Sequence, residues 1–234
     1  MGGPALKINP TLLPREIETG DYIEAITKHI PNATFTSRGC IRRCPFCAVP
    51  IIEGNFTELQ NWIPRPIVCD NNLLACSKRH FTKVIDSLRS LEGVDFNQGL
   101  DARLLSTFHI DQLKILKTKL IRFSWDDTKD ESSIRYAIER MIRAGYPKRK
   151  ISIYVLIGFN DSPTDALYRL SELVKMGVIP FPMRFQELNA NIRNSFVGVN
   201  WTHLELVRFM RYWSNLRITK NIPFEEFIYP MRTK

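Results

Sequence analysis

The feature that most constrains this chain is a repeat of pattern. Six short β-rich runs begin near Ala33 (ATFTSRG), Ile67 (IVCDNN), Val94 (VDFNQG), Leu120 (LIRFSWDD), Ile151 (ISIYVLIGF) and Ile179 (IPFPMRFQEL), at spacings of 34, 27, 26, 31 and 28 residues. Every gap but the first carries helical signal. Strands separated by one helix each, in units this short, pair in parallel through right-handed crossovers. The expected class is α/β: a partial (β/α)6 barrel of parallel strands with a C-terminal helix, since a full eight-unit barrel takes about 250 residues. A doubly wound open sheet is the alternative. Both architectures place ligands at the carboxyl ends of the strands. The 234 residues are 44% hydrophobic and 24% charged, which excludes wholesale disorder and suffices for a full core.

The helices are punctuated in the sequence. Ser77 caps a predicted helix whose apolar face is Phe81, Val84, Ile85, Leu88 and Leu91, with Gly93 beyond it. Ile134, Ala137, Ile138, Met141 and Ile142 recur at helical spacing before Gly145 and Pro147. Ser162-Pro163 opens another helix, with Leu167, Leu170, Leu173 and Val174 as its face and Gly177 as its end. Ile110, Leu113 and Leu116 give a shorter one. Trp201 to Thr219 is predicted as one long amphipathic helix. The domain division expected is an N-terminal segment over 1–32 packing on the barrel, a core over 33–200, and a C-terminal helix and tail over 201–234.

The chemistry concentrates behind the first strand. Cys40, Cys44 and Cys47 are spaced C-x3-C-x2-C. Thiolates suit zinc or iron–sulfur clusters. Structural zinc takes four protein ligands, usually as two separated pairs. Cys69, Cys76 and His80 are the distant candidates for a fourth, and they form no second pair. The competing readings are a zinc site closed by one of them, plain core cysteines, or three ligands on a cubane cluster with one iron left open.

With Phe46 just before the third cysteine, and with the motif following the first of six βα units, the chain resembles the radical S-adenosylmethionine (radical SAM) enzymes. The resemblance covers about residues 33–190, and its specific part is the cysteine motif. It implies a 4Fe-4S cluster on Cys40, Cys44 and Cys47, with the amino and carboxylate groups of S-adenosyl-L-methionine on the fourth iron. It implies reductive cleavage to methionine and a 5′-deoxyadenosyl radical that abstracts hydrogen from substrate. An electron donor such as a flavodoxin or ferredoxin is implied as partner. No second cluster domain or cobalamin-binding domain is evident.

The strand ends supply the other candidates. Asp70, Asn71 and Asn72 follow the second strand, where the family contacts the amino group of SAM. An Asx turn explains them equally well. Asn97 to Arg103 places Asp101 and Arg103 at the barrel mouth, or in a helix cap. Ser124 and Asp126, with Asp127, resemble residues that hold the SAM ribose or carboxylate; they could instead cap the helix beginning near Asp130. Gly158 ends the fifth strand, where close backbone approach suits adenine. Arg184, which alternates with Met183 and Phe185, is a candidate for the SAM carboxylate or an anionic substrate. The alternation does not say which set faces inward. His109 and His203 read as ordinary surface residues, and Cys69 and Cys76 as core.

The formal charge of +9 favours an anionic partner. Arg38, Arg42 and Arg43 flank the cysteines, and a nucleic acid, a nucleotide-like compound or an acidic peptide is the expected substrate. The rival class is a non-enzymatic, zinc-stabilised nucleic-acid-binding module. The absence of a membrane-length apolar run and of a leader-like start makes a cytoplasmic, membrane-free protein the expectation.

Overall fold

A computed structural model describes residues 28–219 and 221–228. The expected N-terminal segment therefore lies almost wholly outside the described residues. The chain is α/β. Six parallel strands form one sheet: β1 (Ala33–Thr34), β4 (Ile67–Val68), β5 (Glu92–Phe96), β6 (Lys117–Ser124), β7 (Ile151–Ile157) and β8 (Ile179–Arg184). Their spatial order is their chain order, as successive right-handed βα crossovers demand. All six runs read from the sequence appear in it. Among the described residues β1 and β8 are the two edges, and they do not pair with each other.

The helices lie where their caps place them. α2 (Lys78–Leu88) starts on Ser77, whose side chain accepts from the His80 amide. α3 (Thr107–Leu113), α4 (Glu131–Arg143) and α5 (Pro163–Met176) follow. Ser162 and Asp165 form a reciprocal capping box at the start of α5. One face of the sheet packs on these helices. Ile121, Phe123, Ile151, Ile153, Val155 and Ile157 on β6 and β7 are fully buried. Arg122, Ser124, Tyr154 and Leu156 alternate with them on the open face. On β8 the buried set is Pro180 and Pro182, so Phe181 and Met183 take the open face at 51% and 45% exposure. The ring of Phe181 meets that of Tyr154 at 5.5 Å. Prolines are tolerated here because β8 is an edge strand.

Three expectations need correction. The first run is not one strand. It bends at Phe35–Thr36, and β2 (Ser37–Arg38) leaves the sheet to pair antiparallel with β3 (Thr57–Glu58). The bend is held by Asp70, which accepts from the Thr36 amide and from both the Thr36 and Ser37 hydroxyls at 2.6–2.7 Å. The C-terminal helix is not continuous either. α6 (His203–Trp213) stops, and α7 (Leu216–Thr219) and α8 (Phe224–Ile228) fold back. Phe224 packs on Phe209 and Tyr212 at 4.7 and 5.0 Å, and the Tyr212 hydroxyl donates to the Ile222 carbonyl. A straight helix would forfeit that apolar contact. Finally, α5 buries Ala166, Arg169, Leu170 and Leu173, while Val174 is 47% exposed. Its buried stripe includes an arginine that hydrophobicity alone does not select.

Candidate functional site

The cysteine loop begins at a residue that only glycine can occupy. Gly39 has φ +70°, and a Cβ there would stand 2.3 Å from the Asn55 carbonyl oxygen. Its amide donates to Glu53 Oε2 at 2.8 Å. The same oxygen accepts from Asn71 Nδ2 at 2.7 Å, and Arg38 pairs with Glu53 Oε1 at 2.8 Å. Glu53 thus ties the start of the loop to the end of β4. α1 (Val49–Ile52) closes the loop as a single turn.

Cys40, Cys44 and Cys47 line a pocket of about 600 Å³, at the carboxyl ends of the strands. Ser124 and Asp126 from the end of β6, and Asn71 and Asn72 from beyond the end of β4, line the same pocket. This volume falls within the range of small-molecule sites. Burial pushes the Cys44 and Cys47 thiols up; charge on Cys40 raises Cys44 further, and charge on Cys44 and Cys40 raises Cys47. Arg103 opposes the rise at Cys44, and the Val49 amide opposes it at Cys47. Three soft sulfur donors on one short loop are a donor set that a cationic metal centre stabilises. Among the described residues no three His, Cys, Asp or Glu side chains gather closely enough to hold a single ion. A cubane cluster asks for something else: one thiolate on each of three irons, which stand apart. The Cys40 sulfur also accepts from the Arg42 amide at 3.3 Å and from Asn72 Nδ2 at 3.4 Å. Asn72 is almost fully buried, and its Oδ1 has no partner. It is an acceptor in reserve.

Asp101 is the charged hub of the mouth. Its Oδ2 accepts from Arg42 Nε at 2.9 Å and from Asn72 Nδ2 at 3.2 Å. Its Oδ1 accepts from the Arg103 amide and from Arg103 Nε, at 3.2 and 2.8 Å. Burial opposes its ionisation, but the Arg103 and Arg42 hydrogen bonds outweigh that and hold the carboxyl below its usual range. Asp126 is the contrary case. Burial dominates and pushes it up to about 6, against the Leu156 amide and Arg169.

Arg169 and Asp161 went unread in the sequence. Arg169 has no exposed side-chain area. It donates to the Trp125 and Leu156 carbonyls at 2.7 and 3.1 Å and to Asp161 Oδ2 at 2.6 Å, joining the ends of β6 and β7. Asp161 Oδ1 accepts from the Gly158 amide and from Trp201 Nε1. The signal for Arg169 was its position three residues after Ala166 and one before Leu170, on the apolar stripe of α5. Glu53 had no comparable signal.

Of the candidate residues, the three cysteines, Asn71, Asn72, Ser124 and Asp126 meet at the pocket. Asp70, Gly158 and Arg184 do not line it. Asp70 serves the β1–β2 bend. Gly158, at φ +83°, packs under Leu206, whose side chain a Cβ would meet at 2.7 Å. Arg184 lies on the buried side of β8 and donates to the Asn194 and Phe196 carbonyls. Cys69 and Cys76 are buried, as expected. His109 is not a surface residue: it is buried against Phe81 at 4.8 Å and completes a capping box with Ser106. His203 is exposed.

No family model matches the chain, and no curated protein matches it. Among the described residues no helix is long and apolar enough to cross a membrane.

Proposed function

We propose that this chain is a radical SAM enzyme built on a partial (β/α)6 barrel. The observation that carries the reading is the convergence of Cys40, Cys44 and Cys47 on one pocket at the carboxyl ends of a sequentially ordered parallel sheet. When bound there, a 4Fe-4S cluster would supply the electron that cleaves the sulfonium bond of SAM. The protein's part is to bind and orient. Asn72 Oδ1 offers an unpartnered acceptor to the ammonium group of SAM. Ser124 and Asp126 offer acceptors to the ribose hydroxyls. Leu156 and Phe159 give the pocket an apolar wall for a base. Asp70, Gly158 and Arg184 act one step back, by fixing the backbone.

The substrate is read as a small, anionic, nucleotide-like compound, with nucleic acid as the alternative, and a flavodoxin or ferredoxin as electron donor. The zinc-module reading needs a fourth ligand. Cys69 and Cys76, its nearest cysteine candidates, do not line the pocket.

Anaerobic reconstitution with iron and sulfide tests the function. About four irons per chain are expected, with loss on replacing any of Cys40, Cys44 or Cys47 by Ala and retention in Cys69→Ala. Reductant and SAM should then yield 5′-deoxyadenosine. Stoichiometric zinc with no iron uptake would reverse the conclusion.

A further inference from the structure

We infer that Asn72 is a positioning residue that tunes the cluster: its side-chain N–H, aimed by Asp101, hydrogen-bonds the Cys40 sulfur and raises the cluster's reduction potential. The inference rests on the cluster reading above.

Asn72 Nδ2 stands 3.4 Å from Cys40 Sγ and 3.2 Å from Asp101 Oδ2. Both neighbours are acceptors, and Asp101 is held ionised by Arg103 and Arg42. The amide orientation is therefore fixed by chemistry: a flipped Asn72 would set its oxygen against a sulfur and a carboxylate. Asn72 is almost fully buried, so the donor side of this part-buried contact is shielded from water. Asp101 also receives Arg42 Nε at 2.9 Å, so the same carboxylate anchors the cysteine loop and the amide that addresses it. An N–H directed at a ligand sulfur draws electron density from it and favours the more negative, reduced cluster. Asn72 lies 32 residues from Cys40, so this contact exists only in the fold.

The test is the midpoint potential of the reconstituted cluster, read by EPR-monitored titration. Asn72→Leu keeps the volume and removes the donor. At wild-type iron content, its potential should shift to more negative values, beyond the scatter of replicate wild-type titrations. An unchanged potential in Asn72→Leu overturns the inference and leaves the cluster reading standing. Wild-type protein labelled with 15N-asparagine gives a readout that needs no variant. The reduced cluster should couple to a side-chain amide nitrogen in pulsed EPR, and absence of that coupling also overturns it. Failure of wild-type protein to take up iron removes both readings together.

Discussion

Arg169→Met is the sharpest test of how the pocket is held. The guanidinium has no exposed side-chain area, and its partner Asp161 is 12% exposed. The substitution leaves the Trp125 and Leu156 carbonyls without their donor and Asp161 without its cation. Asp161 keeps the Gly158 amide and Trp201 Nε1, so its loss is partial. Burial already pushes its pKa up, with Arg169 the first opposing influence; without Arg169 it rises further. Breaking a buried pair from one side costs about 3–5 kcal/mol. Methionine fills most of the space, so packing offsets little of this and adds no large cavity. For a chain of this size the expected fall in melting temperature is about 6–20 °C. Denaturant unfolding of wild type and variant measures the difference directly. A loss under about 1 kcal/mol would refute the reasoning, for it would mean that the strand ends of β6 and β7 need no bridge. The companion Asp161→Asn keeps an acceptor for Arg169 and should cost less than Arg169→Met.

Three further outcomes follow from the same hubs. Asp70→Ala should cost about 2–5 kcal/mol, because three buried donors from Thr36 and Ser37 lose their acceptor; a fall in SAM affinity without a fall in stability would return Asp70 to the binding site. Asp126, raised from 3.8 to about 6 chiefly by burial, favours the protonated folded form, so its stabilising contribution is full below about pH 4 and is lost as pH rises to about 6. The difference is at most about 3 kcal/mol, since water reaches part of the side chain, and Asp126→Asn should flatten this stretch of the stability–pH curve. Gly39→Ala adds about 1–2 kcal/mol of left-handed strain and a Cβ 2.3 Å from the Asn55 oxygen. Iron uptake should fall more than in Gly54→Ala, where φ is +76° but nothing lies within 4 Å of the added carbon.

The sheet was legible because βα spacing and helix caps are local. Ser77, Ser162 and Gly177 mark helix ends through bonds to neighbours within a few residues, and the strand order then follows from crossover handedness. The cysteine motif is equally local. What the sequence withheld is long-range and polar. Glu53 reaches Gly39 and Asn71 across 14 and 18 residues, and Asp70 reaches Thr36 across 34. No periodicity reports such bonds. The bend after β1 and the break after α6 were missed for a related reason: each is set by a distant partner, Asp70 in one case and Phe224 in the other. Asp70 drew attention because it ends a strand, which is correct, but its side chain points back to the bend rather than into the pocket.

The same pairing revises the charge argument. Arg38, Arg42, Arg43, Arg103 and Arg184 look from the sequence like five grips for phosphate. In the fold, Arg38 is committed to Glu53, Arg42 and Arg103 to Asp101, and Arg184 to two carbonyls. Asp101 is only 7% exposed, so exchanging it for a phosphate would leave a buried carboxylate unpaired. Arg43 is exposed and has no hydrogen bond or ion pair among the described residues, and it lines the mouth of the pocket. Lys129, which lines the same pocket, has an exposed pair with Asp127 that costs little to break. One or two phosphate contacts are therefore expected. For a single-stranded oligonucleotide that gives a log–log salt slope of about −0.7 to −1.4, whereas five contacts would give about −3.5. Fluorescence anisotropy between about 50 and 200 mM salt separates these values, and Arg43→Ala should remove about half of the slope or more. A mononucleotide should bind with a similarly shallow slope. A slope near −3.5 would mean that the arginines leave their carboxylates on binding. The mouth would then be a track for a polymer rather than a seat for one small anion.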